Sequence, residues 1–445
     1  MSTQSTSIPT AALPAPSRAL GRGKVSIAGL SLTGVLLFVI SLLVVGSGYL
    51  EFRPIVFGLS VHPYLVPVAL AFPLVLLARV TEFPVRVLSA LMVFAAMYSF
   101  SVLSGGGLSL GAAVKIFSGV LTIFTCALLV RRRGDFVAGA LGLSIAIAIL
   151  AMRGLEDPLD AGVDPVEGAN KNSYSLFALP AMLMAGYIAT RMKTVPVVIK
   201  WVLVACTLPA LAAIFMSSNR SGYLGAVVVG FLLFWDRRGR GMLVVGAVTA
   251  AIVFWMSNFG STKVFDERIR QTVEGTQSDE LRIAILWSCA WIALENPIIG
   301  VSPDKLPFEI GRRTNVGHYS HINFLDAHNV YGHVAAGSGL ICLAAMLAIG
   351  YTLWTLKPAN GRKFAGKDDP ARQALTMMRM MVLLWAIRGT FTHEILYNPA
   401  CNIGLGLCLG LFIVAQAARP DPDAAEGKSS PTQLPQNGRA SIPAA

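Results

Sequence analysis

The sequence predicts an all-α polytopic membrane protein with about 12 transmembrane helices and one long periplasmic loop containing short helices. Three observations lead there. Of 445 residues, 54% are hydrophobic and only 13% charged, with a mean hydropathy of +0.63; soluble domains carry about 25% charged residues. Runs such as 25–46 and 110–130 are long enough to cross a hydrocarbon core, which takes about 20 residues of helix. They lack the two-residue alternation of an outer-membrane barrel, and open strands cannot satisfy their backbone in lipid. Finally, basic residues gather between alternate runs, as expected of cytosolic connections.

Taken in order, residues 1–24 are rich in Ser, Pro and Ala and end in Arg18, Arg22 and Lys24. They read as a disordered cytosolic tail; the following run is too long, and lacks the small-residue cleavage site, for a signal peptide. A membrane-embedded domain is expected over 25–418, with spans at 25–46, 61–78, 84–103, 109–130, 136–152, 174–190, 197–216, 221–235, 241–257, 329–356, 373–392 and 400–418. The cytosolic connections then hold Arg79 and Arg86, Arg131-Arg132-Arg133, Arg191 and Lys193, Arg237-Arg238-Arg240, and Lys357, Arg362, Lys363 and Lys367. The opposite connections hold the glycines near 104–107 and the acidic stretch 156–167. Both termini fall in the cytosol, and 419–445, rich in Pro, Asp and Ala, reads as a second disordered tail. The long loop, 258–328, lies on the outer face, which in a bacterium is the periplasmic side of the inner membrane. Within it, 279–295 has helical character but is too short in its apolar part to span, which suits an interfacial or half-inserted helix.

Several function classes drop out. The net charge of +12 is spread between spans rather than gathered into a nucleic-acid surface. The six cysteines lie mostly inside apolar runs without metal-like or disulfide-like spacing. Ser104-Gly105-Gly106-Gly107 lacks the lysine and strand of a phosphate loop and reads as a turn. A transporter or flippase of lipid-linked sugars is the competing class; it would call for charge deep in the bundle and internal repeats, whereas here charge collects at one outer face and the halves differ.

Four of the six histidines, His318, His321, His328 and His333, crowd the end of the long loop. Their spacing is not an established metal-ligand pattern. His328, where the loop re-enters apolar sequence, has two readings: a structural histidine at a helix end, or a base whose neutral imidazole accepts a proton from a sugar hydroxyl. Asp326 and Asn329 flank it as supporting residues. Arg220, in Ser217-Ser218-Asn219-Arg220-Ser221-Gly222, and Arg282, near the start of the loop helix, either snorkel to the interface or offer bidentate donors to phosphate oxygens. Arg388, before His393 and Glu394, either completes an anion site or pairs with Glu394. Lys115, at the outer end of its span, reads as a snorkelling residue. Because the outer face has no nucleotide pool, a reaction there needs an already activated substrate. A lipid diphosphate whose head is held by arginines while a histidine deprotonates the incoming hydroxyl meets that need without a metal or other cofactor.

At these residues the chain resembles the O-antigen ligase and polysaccharide polymerase superfamily. The Ser-rich turn with Arg220 is similar to the family's turn with its key arginine. Arg282-Ile283-Ala284-Ile285-Leu286-Trp287, followed by Glu295-Asn296-Pro297-Ile298-Ile299-Gly300-Val301, resembles its loop helix and Pro-x-x-Gly exit. Ala327-His328-Asn329-Val330-Tyr331, with Gly339-Leu340-Ile341 downstream, resembles its histidine segment. Gly337 stands where relatives often carry an acidic residue, and Cys342 where they carry a second glycine. The resemblance implies a metal-independent, inverting membrane glycosyltransferase of the GT-C type. Its donor would be an undecaprenyl-diphosphate-linked glycan; its acceptor would be lipid A-core or a second lipid-linked repeat. His328 would be the base, and Arg220 and Arg282 would bind the diphosphate.

Overall fold

The computed structural model describes residues 31–48, 55–56, 59–60, 62–105, 110–156, 171–216, 220–234, 277–314, 325–358 and 369–417. The two expected tails, the span at 241–257, the acidic stretch beyond 156, His318, His321, and the loop at 258–276 and 315–324 lie outside the described residues. The side chain of Arg220 does too, although its backbone opens a helix.

Each expected span other than 241–257 coincides with a helix. In chain order these are α1 (Leu32–Leu42), α2 (Val45–Gly48), α3 (Leu65–Arg79), α4 (Val85–Ser104), α5 (Leu110–Leu129), α6 (Arg133–Glu156), α7 (Lys171–Arg191), α8 (Val197–Met216) and α9 (Arg220–Phe234). The loop helices α10 (Gln277–Glu295) and α11 (Leu306–Arg313) follow, and then α12 (Val330–Trp354), α13 (Pro370–Gly389) and α14 (Pro399–Ala417). A two-residue antiparallel ladder, Ile55–Val56 with Leu59–Ser60, interrupts the helical pattern. Among the described residues, seven helices are long and apolar enough to cross a membrane.

The helix α14 is the axis of the bundle: every residue from Pro399 to Ala415 is buried. Its small residues allow that. A Cβ on Gly406 would meet the Ile123 carbonyl oxygen of α5 at 2.7 Å, and one on Gly410 would meet that of Ala127 at 2.5 Å. Close backbone approach of this kind supplies the packing that drives helix association in lipid, where the hydrophobic effect between helices is absent. At the end expected in the cytosol, Arg79 donates to the Leu128 and Val130 carbonyl oxygens at 2.7 and 3.0 Å, closing the last turn of α5.

The loop helix α10 is apolar on two sides. Ile285, Cys289 and Ile292 are buried in a second core with Leu306, Ile310, Ala335 and Ala336. Ile283, Trp287, Trp291 and Leu294 are exposed at near-helical spacing, forming the stripe that suits a lipid surface. The chain leaving α10 locks into a break in α12. Gly339 has φ +87° inside that helix, and Gly300 has φ +74°. Val301 and Ser302 donate to the Ala336 and Gly337 carbonyl oxygens at 3.0 and 2.9 Å, and Leu340 donates to Pro297 at 2.7 Å. Ser101 of α4 ties the clasp by donating to the carbonyl oxygens of Ile299 and Gly337 at 2.7 and 2.8 Å. A Cβ at Gly339 would lie 2.3 Å from the Ile298 oxygen, and one at Gly300 would lie 2.4 Å from Gly337. Both positions need glycine, for space and for backbone sign. The Pro-x-x-Gly exit is therefore a structural part: it fixes α10 against the N-terminal half of α12.

Candidate active site

The clasp sets the geometry around His328. This residue sits one position before the N-cap of α12, with φ +52°, a left-handed conformation uncommon outside glycine. Asn329 holds it there. The Asn329 Oδ1 accepts from the Gly332 backbone, and its Nδ2 donates to the Ala327 carbonyl oxygen at 3.0 Å, so one side chain both caps α12 and pins the turn. Backbone strain maintained this way is a property of working sites. On the other side, a Cβ on Gly332 would meet the Cys289 Cβ of α10 at 3.2 Å. Arg282 lies two turns before Cys289 on the same helix, so that approach delivers its charge toward His328.

His328 is exposed along one side and hemmed in by protein around the rest. That crowding pushes its imidazole below the ordinary histidine value, and the charge of Arg282 pushes it further down; Asp326 and Glu394 pull it back up. Asp326 acts through its charge, since no hydrogen bond joins the two side chains. A neutral imidazole at neutral pH follows, the form that can accept a proton.

Next to His328 the fold assembles a ring cluster from distant parts of the chain. The imidazoles of His333 (α12) and His393, just beyond α13, stack at 4.5 Å between centroids with 13° between planes. Tyr98 of α4 hydrogen-bonds His333 Nε2 at 3.2 Å, and its hydroxyl also contacts that of Tyr397. The Lys115 ammonium lies 5.7 Å from the centre of the Tyr397 ring. His393 is held below its ordinary pKa by burial, against the pull of Asp326 and Glu394. Burial raises the Tyr397 phenol, helped by Asp304 and Asp326. The charge of Arg282 acts on His328, and that of Lys115 on His393. His328 therefore feels the charges of Arg282, Asp326, His393 and Glu394, and the ring cluster gathers imidazoles, phenols and Lys115.

Arg388, expected from the sequence at an anion site or on Glu394, is only 2% exposed. One terminal nitrogen donates to the Ser221 carbonyl oxygen and the other to Ser175 Oγ at 2.8 Å, so the guanidinium ties α7 to the first turn of α9. That turn begins at Arg220. Arg312 and Arg313 are engaged with Glu309 and Glu295. Among the described residues no three His, Cys, Asp or Glu side chains gather as a metal site requires. Between α4, α5, α12, α13 and α14 lies a small apolar cavity of about 60 Å³, lined by Leu91, Phe94, Val120, Met346 and Leu405 among others, with Asn402 on its wall.

Sequence reasoning singles out His328, Arg220, Arg282, Arg388, Asp326 and Asn329; the charges of Arg282 and Asp326 reach His328, Arg388 is held by Ser175 and Ser221, and the Arg220 side chain lies outside the described residues. That reasoning passes over Tyr98, Asp304 and Tyr397, and it underrates Lys115, His333 and His393. The available signal was positional: Tyr98, Lys115, His333, His393 and Tyr397 all fall near outer span ends on the map drawn from basic residues.

Residues 205–347 match a family model described as O-antigen ligase. Comparison with curated proteins gives no match. The matched stretch runs from α8 through most of α12 and contains Arg220, Arg282 and His328; it leaves out Lys115, Arg388, His393 and Tyr397.

Proposed function

We propose that this chain, whose residues 205–347 match the O-antigen ligase family model, transfers a glycan from an undecaprenyl-diphosphate-linked donor to an acceptor hydroxyl at the periplasmic face of the bacterial inner membrane. The observation that carries this reading is the strained His328 turn, capped by Asn329 and flanked by Arg282. About 12 spans with both termini in the cytosol, inferred from the placement of basic residues, would put this turn on the outer side.

In the proposed step, the His328 imidazole takes the proton of the acceptor hydroxyl as its oxygen bonds the anomeric carbon. The bond from that carbon to the diphosphate oxygen breaks, and the diphosphate leaves with the electron pair. Arg282 and Arg220 stabilise the charge that develops there. Attack opposite the leaving group inverts the anomeric centre. The resulting histidinium passes its proton to outside water, which its exposed side permits. Asp326 tempers the cationic field of Arg282, and Arg388 holds the first turn of α9 so that Arg220 is presented in register.

The decisive assay offers the purified protein a lipid-linked repeat with and without lipid A-core. Core-linked glycan identifies a ligase; long lipid-linked chains formed without core identify a polymerase. Neither product, with donor returned intact, would contradict glycosyl transfer. A flippase predicts that outcome together with donor crossing a sealed vesicle membrane.

A further inference from the structure

The mechanism above uses His328 and the arginines and leaves the neighbouring ring cluster without a task. That cluster draws on four separate parts of the chain: Lys115 of α5, Asp304 between α10 and α11, His393 beyond α13, and Tyr397 just before α14. Pro303 fixes Asp304 in place, because its Cα lies 3.2 Å from where a Cβ of Gly337 would be, one turn along α12 from His333. Tyr98 joins the group through His333 and Tyr397.

Among the described residues, two buried polar atoms here have no hydrogen-bond partner, Asp304 Oδ2 and His393 Nδ1. Lys115 rests near the Tyr397 ring and makes no ion pair among the described residues. Buried polar atoms are nearly always satisfied, so each exception asks for a missing partner. The missing partner is not an anion, since Asp304 and Asp326 both place carboxylates here and would repel it. Sugar hydroxyls fit every group. They donate to the carboxylate, accept from the ammonium, and do either with the imidazole nitrogen. A Tyr ring offers a face for the apolar side of a pyranose.

We propose that Lys115, Asp304, His393 and Tyr397 form the acceptor subsite, binding the terminal sugar of a membrane-anchored glycolipid and presenting its hydroxyl to His328. The inference rests on the glycosyl-transfer reading and gives its second substrate a location. It also separates the two substrates by charge: the diphosphate lies on the Arg282 side and the neutral sugar on the Asp304 side.

The test is direct binding to the full-length protein in nanodiscs, with three probes: undecaprenyl diphosphate, lipid A-core, and the repeat-unit glycan released from its lipid. Asp304→Asn preserves shape, and Lys115→Met alters an exposed residue, so a folding defect in both is not expected. Each variant should weaken the sugar probe that the wild type binds by about tenfold, the loss expected for one charged hydrogen bond, and leave undecaprenyl diphosphate affinity within about twofold. Arg282→Ala should do the reverse. Selective binding of lipid A-core supports a ligase acceptor, and of the released glycan a polymerase acceptor. The inference is overturned if the wild type binds neither sugar probe, if both variants bind it as the wild type does, or if they lose undecaprenyl diphosphate in parallel. Failure of undecaprenyl diphosphate to bind the wild type would instead overturn the proposed donor, with the sugar probes still reading the acceptor subsite.

Discussion

The imidazoles of His333 and His393 stack face to face, 4.5 Å apart at their centroids, although sixty residues and the whole of α13 separate them in sequence. His333 belongs to the helix that His328 precedes, and His393 to the turn that carries Glu394, so the stack ties that helix to a turn whose charges reach His328. Replacing His393 with Ala removes the stack and is expected to cost about 0.5–1.5 kcal/mol, seen as a lower melting temperature in detergent. His393→Phe keeps a ring in place and should recover most of that loss. Equal melting of all three proteins would show that the stack contributes nothing.

The pH profile follows from the charges around His328. The base works when neutral, so kcat/KM should rise with pH through a midpoint below the ordinary histidine value. Asp326 raises the His328 pKa, so Asp326→Asn should move the acidic limb to lower pH. Arg282 lowers it, so Arg282→Ala should move the limb to higher pH, besides weakening the donor. Shifts in the opposite directions would mean that another group sets the limb.

The clasp between α10 and α12 makes a stability test that is independent of chemistry. Gly339→Ala forces a Cβ to 2.3 Å from the Ile298 oxygen at φ +87° and is expected to cost about 1–3 kcal/mol or more. Gly350→Ala, in the same helix, meets nothing closer than Val382 at 3.8 Å and should be tolerated. Thermal denaturation of both variants checks this; equal stability would remove the clasp from the account.

Much of this architecture was legible in the sequence because membrane spans announce themselves by composition and length. The start of α12 was legible too: Asp326 to Asn329 combines a polar cap with the return of apolar residues. The break at Gly339 was not, since glycine is common in membrane helices and its sign of φ depends on Gly300 and Pro297, nearly forty residues away. Arg388 misled for a related reason. A guanidinium at the outer end of a span looks like an anion site until Ser175 and Ser221 are folded against it. The subsite of Lys115, Asp304, His393 and Tyr397 draws on four segments, and no local pattern connects them.

Arg388 gives a contrast between positioning and binding. Its donors hold Ser221 and Ser175 from a site that is 2% exposed. Arg388→Met should therefore destabilise the protein by about 1.5–3 kcal/mol for each charged hydrogen bond lost and also weaken undecaprenyl diphosphate through the displaced α9 turn. Arg220→Lys keeps the charge without the fork, so it should weaken the same ligand by about tenfold or more with melting unchanged. If Arg388→Met lowered ligand affinity at undiminished stability, Arg388 would be a direct ligand instead.

The most direct measurement of the central claim is glycan transfer by purified His328→Ala, supplied with a labelled undecaprenyl-diphosphate-linked donor and the acceptor that the wild type uses. The account expects transfer to be lost while undecaprenyl diphosphate still binds and the protein melts as the wild type does. Transfer at the wild-type rate would contradict it, because the proton of the acceptor hydroxyl would then be leaving by another route.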